Sequence, residues 1–162
     1  PDFPVKGIQF KDVTTLLQDP MAFSASVEAL LDQDEDAEID AVVGIEARGF
    51  IWGAVLAYEL GVAFVPVRKP GKLPAEKARV EYELEYGTNA VEIHRDAIEP
   101  GQKVLVFDDL LATGGTARAT CDLVEELGGE VAGVACIIEL TFLDGRAKLS
   151  EYNVTTLVEM DE

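Results

Sequence analysis

Residues 104–116 read VLVFDDLLATGGT: a run of strand-type residues ends in two adjacent carboxylates, Asp108 and Asp109, then turns through a glycine pair into a helix start. In an open parallel sheet, ligands bind beyond the carboxyl ends of the strands, which is where this pattern puts both acids. The residues that follow, Ala112, Thr113, Gly114, Gly115 and Thr116, offer backbone N–H groups that successive turns can point inward, with the positive end of a helix dipole behind them. That is a cradle for a phosphate. It is not the ATP-binding kind, because no Gly-Lys-Ser/Thr follows, nor the dinucleotide kind, because G-x-G-x-x-G is absent. Ionised carboxylates only accept hydrogen bonds, so the rest of the ligand must donate them, and a vicinal diol does. A ribose phosphate meets both demands, and the negative charge of the acids favours positive charge developing on the sugar.

The elements that must position these residues follow from the pattern on either side. Asp19-Pro20 is a helix start, and a helix is predicted from there to about Leu31. AVVGI (41–45) reads as a short buried strand, GFIWGAVLAYELG (49–61) as an apolar helix ended by Gly61, and VAFVPV (62–67) as the next strand. The stretch from Arg68 to Lys77 holds Pro70, Gly71, Pro74 and four basic residues, so a mobile loop is expected. RVEYELEY (79–86) and TNAVEIH (88–94), separated by Gly87, predict an antiparallel arm. KVLVF (103–107) is a continuous apolar strand, and Ala119, Leu123 and Leu127 mark the buried stripe of the helix after it, which Gly128-Gly129 ends. VAGVACIIEL (131–140) and VTTLVE (154–159) supply further strands. Apolar strands alternating with helices predict an α/β fold: a mainly parallel twisted sheet flanked by helices, with a small antiparallel arm and a flexible loop.

Composition narrows the function classes. At 162 residues and 48% apolar content, one domain spanning 1–162 is expected, and Pro1 in place of methionine suggests a truncated N-terminus. No apolar run reaches the roughly 18 residues of a membrane span, which predicts a soluble, cytoplasmic protein. With His94 as the sole histidine, a Ser-His-Asp triad and a structural zinc site both lose their support, and His94 itself reads as an exposed strand-end residue. Cys121 and Cys136 read as reduced core residues. The net charge of −18 repels nucleic acid and anionic membranes alike. Its acids gather at 32–40 and at the C-terminus as a solvated surface, and adaptation to high salt is a sharper reading of the same excess. Against that background, four of the 13 basic residues fall within 68–77, a local inversion of sign that suits a polyphosphate carrying Mg2+.

VLVFDDLLATGGT closely resembles the phosphoribosyl-pyrophosphate motif of the type I phosphoribosyltransferases, and DDLLATGGT is the form carried by adenine-specific members. PDFPVKGIQFKDVTTLLQDP is similar to that family's N-terminal segment, GIEARGF to its pyrophosphate loop, PVRKPGKLP to its flexible loop and YELEYG to its catalytic arm, all in the family's order. The resemblance implies the type I fold and a purine salvage reaction: transfer of phosphoribosyl from phosphoribosyl pyrophosphate to adenine, giving AMP and pyrophosphate, with Mg2+ as cofactor.

It implies that residues 46–49 bind pyrophosphate, with Arg48 and loop N–H groups facing the anion, and that a non-proline cis peptide lies at Ala47-Arg48. Arg68, Lys69 and Lys72 would reach the same pyrophosphate, across the interface of a homodimer. Glu85 would exchange a proton at the purine N7 and Tyr86 would help close the site. Phe10 would stack on the base while the main chain of Gln9 and Lys11 reads its amino edge. Arginine is common where this chain has Lys11, and an aliphatic residue where it has Gln9, so hypoxanthine, guanine or xanthine stand as alternative bases. A non-catalytic sensor of the sugar donor that binds DNA or RNA is the other alternative, and the acidic surface argues against it.

Overall fold

The computed structural model describes residues 1–33, 35–84 and 86–162. Asp19 caps its helix as expected: its Oδ1 accepts the N–H groups of Met21 (3.0 Å) and Ala22 (3.2 Å), and Pro20, which has no N–H to satisfy, opens α2 (Pro20–Gln33). A five-residue helix, α1 (Thr14–Gln18), precedes it. No apolar periodicity announces α1; Asp12 initiates it, accepting the Thr14 N–H at 2.9 Å and the Thr14 hydroxyl at 2.7 Å.

Five strands, β1 (Ala41–Ile45), β2 (Ala63–Val67), β5 (Lys103–Leu111), β6 (Glu130–Leu140) and β7 (Val154–Met160), form one parallel sheet in the order β2-β1-β5-β6-β7. Helix α3 (Gly49–Leu60) links β1 to β2, and α4 (Gly115–Glu126) links β5 to β6. The chain thus winds outward in one direction from β1 and in the other from β5, and the boundary between these two strands is the switch point where such sheets open a crevice. Both faces are covered. Trp52, Leu56, Leu30 and Phe107 fill one side, with the Trp52 indole N–H donated to Ser26 Oγ at 2.9 Å. Val43, Val106, Leu123, Cys121 and Leu149 fill the other. Two-sided burial is why these strands read as unbroken apolar runs.

The arm is a separate antiparallel pair, β3 (Lys77–Glu83) with β4 (Thr88–His94), in the register Lys77↔His94 to Glu83↔Thr88. Ala78, Val91 and Ile93 point inward and join the core under α4.

The structure departs from the sequence reading in four places. Strand β5 does not stop at Phe107 but continues through both acids to Leu111. Its ladder to β1 ends at Gly44↔Phe107, whereas its ladder to β6 continues to Leu111↔Glu139, so pairing on one side overrides the weak strand propensity of aspartate. Residues 68–76 are irregular, as a loop should be, but tied at several points: Arg68 pairs with Glu92, the Gly71 N–H donates to Glu92 Oε1 at 2.8 Å and Leu73 is buried; and β3 begins at Lys77 and ends at Glu83 rather than spanning 79–86. His94 is half-buried rather than exposed, with Nε2 enclosed and unpaired among the described residues. Both cysteines lie in the core as expected, and burial pushes the Cys121 thiol up to about 12 and Cys136 well above its ordinary value. Among the described residues no helix is long and apolar enough to cross a membrane.

Candidate active site

The crevice at the switch point is built from four pieces of chain. Where β1 ends, Glu46, Ala47 and Arg48 lead directly into α3, and the cis peptide of this loop is Glu46-Ala47, one bond earlier than the sequence reading placed it. Gly49 lets the helix start press on β5: a Cβ there would meet the Phe107 carbonyl at 3.1 Å and Asp108 Cα at 3.4 Å. This approach brings Arg48 to the paired acids, with its Nε 2.5 Å from Asp109 Oδ2.

The guanidinium of Arg48 also lies 5.3 Å from the centre of the Phe10 ring, a cation–π distance. Arg48 therefore faces an acid and an aromatic ring, where the sequence reading had it facing an anion. Phe10 is 37% exposed and meets the edge of Phe3 at 5.1 Å, so it is not a core residue. Gln9 is exposed and Lys11 half-buried; among the described residues no intrachain backbone hydrogen bond uses the main chain of either. A cavity of about 480 Å³ opens here, bounded by Phe3, Phe10, Asp12 and Arg48.

The two acids differ in surroundings. Asp109 points inward at 5% exposure and holds Arg48. Asp108 is half-buried, and its Oδ1 accepts the Asp109 N–H at 2.9 Å. Burial, then the neighbouring charge of Asp109, pushes the Asp108 carboxyl well above the ordinary aspartate range, with Arg48 opposing. Alternation along a strand is what separates them.

Beyond Leu111 the chain curls around a hollow of about 70 Å³ lined by Ala112, Thr113, Gly114, Gly115 and Thr116, the predicted cradle, at the N-terminus of the 12-residue helix α4. Gly114 has φ 83° and faces the Gly145 carbonyl so closely that no Cβ fits, and Gly145 in turn presses on the Ala112 carbonyl. The turn Gly145–Leu149 thus backs the cradle. It is itself fixed by Arg146, whose Nε donates to the buried Glu139 carboxylate at 2.8 and 2.9 Å. The Thr116 hydroxyl donates to Tyr82 Oη at 2.9 Å, joining the arm to the cradle.

The fourth piece is the basic loop. Glu46 Oε1 accepts from Arg68 Nη2 at 2.9 Å and lies 3.5 Å from Lys72 Nζ, while Oε2 accepts the Lys69 N–H at 2.7 Å. A cavity of about 490 Å³ lies between these pieces, walled by Glu46, Arg48, Arg68, Asp108, Asp109 and Thr116, a volume suited to a small charged ligand.

The structure therefore brings together Asp108, Asp109, residues 112–116, Arg48, Arg68, Lys69 and Lys72, with Phe10 adjoining. It does not bring Tyr86, which the sequence reading placed at the closing edge: the Leu84 N–H to Gly87 carbonyl turn leaves Tyr86 88% exposed at the tip of the arm. Glu85 lies outside the described residues. Tyr82 and Arg146 escaped the sequence reading, and Glu46 entered it only as part of the 46–49 loop, without its partners. Glu46 could have been suspected as an acid beside a run of bases, and Tyr82 as the inward aromatic of the strand alternation, but nothing local marks Arg146. Among the described residues no cluster of three or more His, Cys, Asp or Glu could hold a metal ion by itself.

Comparison with known proteins agrees with this geometry. The Phosphoribosyl transferase domain family matches residues 12–160. An adenine phosphoribosyltransferase of Chloroflexus aurantiacus is 60% identical over 159 residues, covering 98% of this chain and 92% of the relative. The crystal structure of adenine phosphoribosyltransferase from Thermoanaerobacter pseudethanolicus superposes with TM-score 0.96 at 57% identity, covering 99% of this chain and 93% of that one. The Saccharomyces cerevisiae enzyme, solved with an imino-altritol bisphosphate and adenine, superposes with TM-score 0.91 at 43% identity, covering 97% of this chain and 91% of that one. A parallel sheet whose switch point carries paired acids, a glycine-lined cradle and a basic loop, matched over nearly its whole length, makes this chain a member of the phosphoribosyltransferase family.

Proposed function

We propose that this chain transfers the phosphoribosyl group of phosphoribosyl pyrophosphate to adenine, forming AMP and pyrophosphate in purine salvage. The observation that carries the reading is the juxtaposition of Asp108 and Asp109 with the basic loop across a cavity of about 490 Å³ and with the cradle, whose own hollow adjoins that cavity at Asp108, Leu110 and Thr116. The 5′-phosphate is assigned to the N–H groups of residues 112–116 and the Thr116 hydroxyl, at the positive end of α4. The ribose diol is assigned to Asp108 and Asp109, and the pyrophosphate to Arg68, Lys69, Lys72 and the backbone at 46–49. The adjoining cavity takes the base against the Phe10 ring, with Arg48 and Asp12 on its rim and the unpaired main chain of Gln9 and Lys11 available to its polar edge.

The reaction breaks the C1–oxygen bond to pyrophosphate and forms a C1–N9 bond to the base, which loses its N9 proton. Arg48 lies on Asp109 until the diol claims that carboxylate, so donor binding rearranges the ion pair. As pyrophosphate departs, positive charge grows on the ribose ring, and the fixed carboxylate of Asp109 stabilises it without having to reorganise. Burial of the site strengthens that interaction and holds the reactants in line. Glu85, outside the described residues, is assigned proton exchange at N7, and Tyr86 at the arm's tip reaches the site only if the arm closes. No side chain is assigned to Mg2+ directly: the oxygens of the donor's pyrophosphate would hold it beside Arg68, Lys69 and Lys72, and its charge would offset that of the pyrophosphate. A cytoplasmic homodimer is the proposed setting.

Purified protein with Mg2+, the sugar donor and each purine in turn tests the reading. AMP formation from adenine, outcompeting hypoxanthine and guanine, is the expected result. No nucleotide from any purine would sink it, and donor binding without turnover, accompanied by nucleic-acid binding, would favour the regulator instead.

A further inference from the structure

Glu46 lines the large cavity with its side chain only 10% exposed, in the space where the proposed function seats a pyrophosphate. A carboxylate beside a polyanion is repelled, the more so at lower permittivity. Its position therefore calls for a compensating task. Burial pushes the Glu46 carboxyl up, but the Lys69 N–H, Arg68 and Lys72 outweigh this and hold it below its ordinary value, so it is ionised at neutral pH. One oxygen faces two cations, Arg68 at 2.9 Å and Lys72 at 3.5 Å, and the other takes a backbone N–H at 2.7 Å. Two oxygens, negative charge, two cations and an amide are the contacts that one edge of a phosphate would make. Arg68 keeps capacity in reserve, because its Nε is buried and unpaired among the described residues while its guanidinium rests 6.0 Å from the Phe50 ring centre. The loop's other tie is of a different kind: Glu92, 4% exposed, takes the Gly71 N–H and pairs along the main chain of Arg68.

We infer that Glu46 is a positioning residue that stands in for pyrophosphate: it docks Arg68 and Lys72 in the ligand-free protein, yields them to the incoming anion and recaptures them as the anion leaves. This rests on the proposed function. The contact lowers affinity for pyrophosphate, because the anion must compete for cations already engaged, and it speeds departure of the product for the same reason.

The test compares wild type, Glu46→Gln and Glu92→Gln. Glutamine keeps the shape of Glu46 and removes its charge. Calorimetric titration with pyrophosphate and Mg2+ is expected to show Glu46→Gln binding about fivefold or more tightly than wild type. In steady state its donor KM and its kcat both fall, the signature of a lost ground-state competitor and slower release. Without ligand, trypsin cuts after Arg68 or Lys72 faster in Glu46→Gln than in wild type. Glu92→Gln stays within about twofold of wild-type affinity. Should Glu46→Gln fold poorly by circular dichroism, Glu46→Asp, too short to span both cations and the amide, is expected to shift affinity in the same direction by a smaller factor. Unchanged or weaker pyrophosphate binding in a folded Glu46 variant overturns the inference, as does an equal gain in Glu92→Gln, which would reveal a general charge effect. If wild type itself binds no pyrophosphate, the proposed function fails and this inference falls with it.

Discussion

Neighbouring carboxylates on one strand point to opposite sides of it, so Asp109 is committed to Arg48 while Asp108 sits half-buried with its proton held tightly. The folded-state pKa of Asp108 is raised above its unfolded value, so the folded protein binds that proton more strongly. The stability this provides is fully present below the unfolded pKa and is lost as pH rises through the folded one. Asp108→Asn, which cannot ionise, should therefore gain on wild type in thermal midpoint as pH increases from 4 to 8, while losing affinity for AMP; a constant difference across that range would contradict the assignment. Asp109→Asn should lower turnover by about 10²-fold or more while shifting the melting temperature by only a few degrees. Comparable losses in both would make Asp109 structural. The acids and the cradle were legible because their meaning lies in thirteen consecutive residues. The pairings of Glu46 and Tyr82 were not, since their partners lie 22 and 34 positions away and only the fold brings them together.

Among the elements, β5 matters most because its two ladders end at different points, Phe107 toward β1 and Leu111 toward β6. The four residues beyond the shorter ladder form the wall of the crevice. The order and kind of the elements were readable from alternating apolar runs, but this overhang was not, because aspartate pairs are depleted in strands and only the neighbouring β6 keeps them there. The cradle depends likewise on a contact remote in sequence, Gly114 against Gly145. Gly114→Ala combines a left-handed backbone with a blocked approach, and a loss of about 1–3 kcal/mol is expected in denaturant unfolding, with weaker AMP binding. A fully wild-type unfolding curve would show that the Gly145 turn can retreat.

At the scale of the whole molecule, a net charge of −18 sets a field against which the loop at 68–77 concentrates positive charge. Self-repulsion of the acids should fall as the screening length shortens from about 30 Å at 0.01 M salt to about 3 Å at 1 M. The melting temperature is accordingly expected to rise over that range of KCl, in a single cooperative transition if 1–162 is one domain. A flat or falling midpoint would remove the case for salt adaptation, and two resolved transitions would divide the domain. The charge was visible in composition, whereas the siting of its exceptions required the loop to be seen folded onto Glu46.

Both native thiols are enclosed and reluctant to ionise, with Cys121 and Cys136 0% and 1% exposed. To maleimide dyes the protein is consequently a silent background. A cysteine placed at exposed Ala75 would be the position that takes the label, so opening of that segment during turnover can be followed by fluorescence without first stripping the native sequence of sulfur.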